Sequence, residues 1–400
     1  MTEQHDDNSK LDHSEIPSGP RRLDFVDGAR AAAALAVLLA HSYYQPQNGY
    51  YASRWMTHLG LTYGRFAVVA FIVISGFCLG LPTVKTGNVK NGWLDFYMRR
   101  IVRILPTYYA CLGLSIAFIA FWANQRTGTV WDNSLPLSPS TVLNHIFLTH
   151  DLPVSWQILI SKLFGIRTLD PVLAHGDISY PLWSIAVEFQ LYLLFPLILL
   201  VIRKLGITLA CVIGALVGIA VHEYSPINLD SATPWYLGQF MFGVAAAHVV
   251  SKGTTSVNAR KVGLILIAIV LAVLVIKGKG FYDKYEPYLD LVFAGGIASL
   301  LAAKYLSNKF SSVPTVSILE TKTMVWIGAF SYSLYLVHAP ILHILERFCN
   351  SFLTTKSELR FLFLIVLSPL VIGICYLFHC AFEKPVIKWL QRSKTEVTST

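Results

Sequence analysis

Arg30 and His41 stand eleven steps apart in the segment LDFVDGARAAAALAVLLAH, and the ten residues between them are mostly small and apolar. On an α-helix eleven steps bring the second side chain to within about 20° of the first, with about 16 Å of axis between them. A guanidinium and an imidazole on one face of a spanning helix are costly unless each meets a partner or a hydrated cavity, so both are candidates for function. The imidazole offers general-base chemistry near neutral pH, and the guanidinium offers a site for an anion. On this stretch alone, interfacial anchoring explains the pair equally well, with Arg30 snorkelling to headgroups and His41 capping the far end.

Four further groups have chemical potential. Arg99, Arg100 and Arg103 form one helical patch by their spacing and suit phosphate oxygens, although basic residues beside a span also serve topology. Ser75 and Gly76, inside the bulky run FIVISGF, permit close approach of a neighbouring helix or of a thin ligand arm. No nucleophile elbow accompanies that serine. Trp183, Ser184 and Glu188 fall in ISYPLWSIAVEFQLYLLFP, where a buried carboxylate either braces helices or orients an imidazole. Tyr332 and His338 lie in IGAFSYSLYLVHAPI, with His343 beyond and Glu383 in a later FEKP; His338 either shares a hydrated cavity with His41 or bonds a helix carbonyl. No metal-ligand set is expected.

These residues must be held by membrane helices. The chain of 400 residues is 54% hydrophobic and 14% charged, where soluble domains carry roughly 25% charged residues, so the excess apolar surface requires lipid. The net charge of +9 sits in short clusters at the ends of apolar runs, which follows the positive-inside rule and argues against a nucleic-acid partner. Six cysteines without paired loop spacing read as packing residues. At about 20 residues per span the expected fold is all-α, with about ten transmembrane helices beginning near 26, 64, 102, 183, 206, 234, 260, 286, 325 and 359. The pair meeting at Arg203, Lys204 and Gly206 also reads as one bent element. An even number of spans and the bias of Lys and Arg place both termini in the cytoplasm and the protein in the plasma (inner) membrane. Residues 1–22 form a polar cytoplasmic tail, 23–385 the membrane domain and 386–400 a second tail. Residues 83–101 are then a cytoplasmic loop. Residues 123–181 lie on the far side, where the runs 142–147 and 154–166 fit short interfacial or re-entrant helices and, equally well, ordinary loop packing.

The order of these motifs resembles the acyltransferase-3 family of bacterial integral membrane O-acyltransferases, over most of residues 22–390. The matching pieces are LDFVDGARAAAALAVLLAH, FIVISGF, YMRRIVRILPTYY, ISYPLWSIAVEFQLYLLFP, IGAFSYSLYLVHAPI and FEKP. Arginine, ten residues, then histidine is the most specific of them. The resemblance implies ten spans, acyl-CoA as donor, and a hydroxyl acceptor on a sugar of a surface glycan or a glycosylated metabolite. Two departures stand out. Phe189 follows Glu188 where many relatives carry a second carboxylate, and the chain stops soon after Pro385, where many relatives continue into an extracytoplasmic domain. Transfer is therefore expected within the membrane domain or through a separate extracytoplasmic partner.

The expected activity is O-acetylation of a polysaccharide or metabolite, with no permanently bound cofactor. Acyl-CoA, acetyl by default, docks its phosphates at Arg99, Arg100 and Arg103, and its arm threads past Ser75, Gly76 and Arg30. His41, Arg30 and Glu188 form the catalytic set, and Trp183, Ser184, Tyr332 and His338 contact the acceptor. Direct general-base transfer and an acyl-histidine relay use the same residues. A flippase for a polar glycan would also explain buried Arg, Glu and His, but no interrupted helices recur in matching halves. A silent scaffold would bear the cost of these polar residues without benefit.

Overall fold

The computed structural model describes residues 23–43, 63–84, 86–89, 91–121, 135, 137–152, 156–157, 162–165, 178–225, 229–253, 258–310, 318–352 and 357–398. Among them there is no strand. The helices are α1 (Asp24–Tyr43), α2 (Arg65–Thr83), α3 (Gly92–Phe121), α4 (Pro139–Ile146), α5 (Leu182–Leu205), α6 (Ile207–Tyr224) and α7 (Tyr236–Lys252). They continue as α8 (Ala259–Lys277), α9 (Lys279–Phe310), α10 (Lys322–Ala329), α11 (Ser331–Phe352), α12 (Ser357–Val366), α13 (Ser368–Phe378) and α14 (Lys384–Thr398). Eight helices among the described residues are long and apolar enough to cross a membrane, and α10 with α11 makes a ninth, broken span. Helix α7 has 17 residues, at the short end of the range for a span. The protein is a polytopic α-helical membrane protein with helices at each of the ten expected positions.

Packing separates lipid-facing from interior helices. Leu264, Ile265, Ile269, Leu271 and Val275 of α8 are exposed, as an outer helix requires, whereas α2 is buried along most of its length. Close backbone contact fixes α2 against α7. A Cβ on Gly76 would lie 2.1 Å from the Phe240 carbonyl oxygen, and one on Gly243 would lie 2.1 Å from that of Val73. Helix α1 is clasped in the same way by α10 and by the 3-10 turn Ile318–Glu320 before it, through Gly328 on Asp27 and Gly28 on Leu319. Between α5 and α6 the turn is a single residue, Gly206, at φ 79°, so these are two helices rather than one bent element.

Three local breaks shape the interior. Helices α10 and α11 meet at 73° around Phe330, so that Ser331, Tyr335 and His338 approach α1 and α5. Pro340 then removes the amide that would bond the Leu336 carbonyl. The Cys111 thiol donates to that carbonyl at 3.3 Å, satisfying it inside the membrane. A π turn at His379–Glu383 re-phases the chain before α14.

The segment expected as a loop at 83–101 is helical from Gly92, because α3 runs 30 residues. At 1.5 Å per residue it is about 45 Å long, well beyond the hydrocarbon core. Of the two expected interfacial helices, α4 spans Pro139–Ile146 behind a Ser138 cap, and the second lies largely outside the described residues. After α4, His150 stacks on His145 at 3.9 Å, and Asp151 accepts from Gln190. The described cysteines form no disulfide.

Candidate active site

His41, in the last turn of α1, meets His338 of α11 across the bundle. Its Nδ1 lies 2.7 Å from His338 Nε2, and the two rings are inclined by 20°. His338 is fully buried, and its Nδ1 lies 2.9 Å from the Leu334 carbonyl oxygen. A carbonyl only accepts, so His338 Nδ1 carries the hydrogen. With both rings neutral, His338 Nε2 accepts from His41 Nδ1–H, which leaves the lone pair on His41 Nε2. This is the tautomer a general base requires. Tyr180 meets the His41 ring edge-on at 5.4 Å.

A cavity of about 570 Å³ opens between α1, α2, α3, α5, α11 and α14. Its mouth carries Arg103, Lys384, Lys388 and Gln391, and its walls carry Arg30, Cys78, Arg100, Glu188 and Tyr192. Arg30 pairs with Asp27 at 3.7 Å, and its Nη2 donates to Cys78 Sγ at 3.5 Å. Arg100 stacks over Phe96 and Tyr192 and leaves a buried Nε without a hydrogen-bond partner. Deeper, Ser75 bonds Tyr192, whose hydroxyl donates to Glu188. The inner wall is the Ser184–Tyr335 hydrogen bond of 2.6 Å. Tyr335 also stands 6.0 Å, ring to ring, from His338, so one aromatic layer divides the cavity from the histidine pair. His41 itself lines a separate small cleft with Tyr180, His343 and Glu346.

The arrangement is a chamber with a basic mouth and a hydroxylic inner wall, which the Tyr335 layer separates from an oriented imidazole. Residues 23–380 match the family model described as an acyltransferase domain. The chain belongs to this acyltransferase family. Similar proteins include YrhL of Bacillus subtilis, 25% identical over 351 residues that cover 80% of this chain and 49% of YrhL. The peptidoglycan O-acetyltransferase OatA of Listeria monocytogenes is 25% identical over 342 residues, covering 79% of this chain and 49% of OatA. The acyltransferase MdmB of Streptomyces mycarofaciens is 22% identical over 418 residues, covering 96% of each. The chain thus spans about half the length of YrhL and of Listeria OatA. No solved structure matches it.

The acyltransferase brings together only part of the residue set expected from sequence. Arg30, Ser75, Arg100, Arg103, Glu188, Ser184 and Tyr332 line the large cavity, and Tyr332 also donates to the Ile104 carbonyl at 3.1 Å. Arg99 instead pairs with Asp95 one turn back, and Gly76 faces the α7 backbone. Glu188, expected to orient His41, bonds Tyr192 on the cavity side, and His338 holds His41. Trp183 lies under the Arg65 guanidinium at 5.1 Å and lines neither cavity.

Several residues escaped sequence reasoning. Tyr192 and Tyr335 read as ordinary interior aromatics, although hydroxyls within apolar spans are themselves a signal, because each needs a partner there. Arg65 forms ion pairs with Glu286 and, at 3.8 Å, Asp290 of α9. Asp290 also accepts from Trp235 and Tyr282. That cluster ties α2, α7 and α9 together through a charge that lipid alone would not tolerate.

Proposed function

We propose that this acyltransferase carries an acyl group, acetyl by default, from cytoplasmic acyl-CoA to a hydroxyl of a sugar or glycan on the extracytoplasmic side. The observation that carries the reading is the hydrogen-bonded series from the Leu334 carbonyl through His338 to His41. It stands between a large basic-mouthed cavity and a cleft on the other side. Coenzyme A enters the cavity with its phosphates toward Arg100 and Arg103 and its arm along Arg30 and Ser75. The acceptor hydroxyl comes to His41 Nε2 from the cleft bearing Tyr180, His343 and Glu346. Tyr335 turns from Ser184 to join the two compartments.

His41 Nε2 then takes the hydroxyl proton as the oxygen attacks the thioester carbonyl carbon. The carbon–sulfur bond breaks, and the departing coenzyme A thiolate takes the proton from His41. His338 holds the imidazole and shares the positive charge it carries briefly. General-base assistance of this kind contributes about 10² to 10⁴ in rate. The glycan acceptor is supported by the name of the Listeria relative, a peptidoglycan O-acetyltransferase.

The test is transfer of label from radiolabelled acetyl-CoA to candidate sugars by the full chain in lipid nanodiscs. Wild type should acylate a sugar, and His41→Ala should bind CoA but not transfer. Full transfer by correctly inserted His41→Ala would overturn the mechanism. Movement of sugar across vesicles without any label transfer would replace the reading with a flippase.

A further inference from the structure

The large cavity holds more positive charge than its own carboxylates neutralise. Asp27 faces Arg30, Glu188 receives the Tyr192 hydroxyl, and Glu383 is bonded by Ser333 and His379. Arg103, Lys384 and Lys388 line the mouth and have no ion-pair partner among the described residues. Arg100 leaves a buried Nε without a partner deeper in the same wall. Unpaired cations from two helices, gathered at one opening, mark a polyanionic ligand.

The two helices present different chemistry. Helix α3 supplies guanidinium forks, which match the paired oxygens of a diphosphate. Helix α14 supplies ammonium groups at 384 and 388, with Gln391 on the same face, since i, i+4 and i+7 align. Trp389 and its exposed ring lie on another face. Helix α14 packs on α3 just after the π turn, and that turn sets which face of α14 looks into the mouth. Ammonium groups are compact point charges suited to a phosphate monoester, which carries about −1.5 to −2 at pH 7.

We propose that Lys384 and Lys388 form the receptor for the 3′-phosphate of coenzyme A, opposite an α3 site for its diphosphate. The proposal rests on the reading of this cavity as the acyl-CoA site. It makes α14 a donor-selecting element, so that the enzyme distinguishes coenzyme A from carriers that end at the diphosphate.

The experiment is equilibrium binding of CoA and of 3′-dephospho-CoA to the full chain in nanodiscs, by calorimetry, for wild type and for K384Q/K388Q. Wild type should bind CoA at least about tenfold more tightly than 3′-dephospho-CoA, the usual scale of a charged hydrogen bond. The double variant should bind both equally, at the wild-type affinity for 3′-dephospho-CoA. That retained affinity also reports a folded protein. A preference that survives in the double variant, or one absent from wild type, overturns the lysine assignment alone. Failure of wild type to bind either nucleotide overturns the donor-cavity reading as well.

Discussion

His41 Nδ1 and His338 Nε2 are 2.7 Å apart although 297 positions separate them in the chain. Because the Leu334 carbonyl fixes the hydrogen of His338, one ring determines the tautomer of the other. His338→Ala should lower kcat by about 10² or more, whereas His338→Gln, whose amide oxygen still accepts from His41, should lose less. Saturation kinetics with acetyl-CoA separate the two, and the donor KM should move little in either.

Cys78 lines the large cavity beside Arg30. Maleimide should label it in the free protein and block transfer, and acetyl-CoA, whose thioester has no free thiol to consume the reagent, should protect it. Mass spectrometry of the labelled peptide checks the site, with Cys78→Ser as the insensitive control.

Arg65 balances Glu286 and Asp290 inside the helix bundle. Arg65→Met leaves two carboxylates without their cation and should cost about 3–5 kcal/mol of stability. Thermal unfolding in detergent should show it as a lowered Tm. The double variant Arg65→Met with Asp290→Asn should recover part of that loss.

Asp151 lies outside the spans, 3% exposed, and burial pushes its carboxyl from an ordinary 3.8 up to about 7. The folded state therefore favours the protonated acid. The stability it contributes is full below about pH 3.8 and is lost as pH rises through about 7, where the unfolded chain has long been ionised. Wild type should lose Tm between about pH 4 and about pH 7, and Asp151→Asn, neutral throughout, should lose less.

Gly76 and Ser75 are neighbours with opposite duties. Gly76→Ala drives a methyl into the Phe240 carbonyl and should destabilise the α2–α7 pair by about 1–3 kcal/mol. Ser75→Ala removes only the bond to Tyr192 and should leave Tm near wild type while weakening CoA binding. Unfolding curves and CoA titrations of both variants give the comparison.

The helices were legible because span length and apolar runs are local properties, and Arg30, His41, Arg100 and Arg103 were legible because charge inside or beside such runs is conspicuous. What governs each of these residues was not. Asp95 sits one turn before Arg99 and takes it from the phosphate patch. Glu188 faces Tyr192 of its own helix, a phase that spacing from Pro181 does not reveal. Glycine in a span signals close approach without naming the neighbour, and for Gly76 the neighbour is backbone. The pairing of His41 with His338 depends on the 73° break at Phe330, which Gly328 two residues earlier does not by itself announce.

The Ser184–Tyr335 partition between the two cavities has a consequence for energy coupling. On the proposed path an acyl group leaves through the partition as a hydrogen comes in, since the acceptor loses its hydroxyl hydrogen and the coenzyme A thiol gains one. Neither compartment changes its charge, and no free proton is taken up or released on either side. Acylation of the outer surface would then run on the thioester alone, unaffected in its equilibrium by membrane potential or pH gradient, and would persist in cells whose proton-motive force has collapsed.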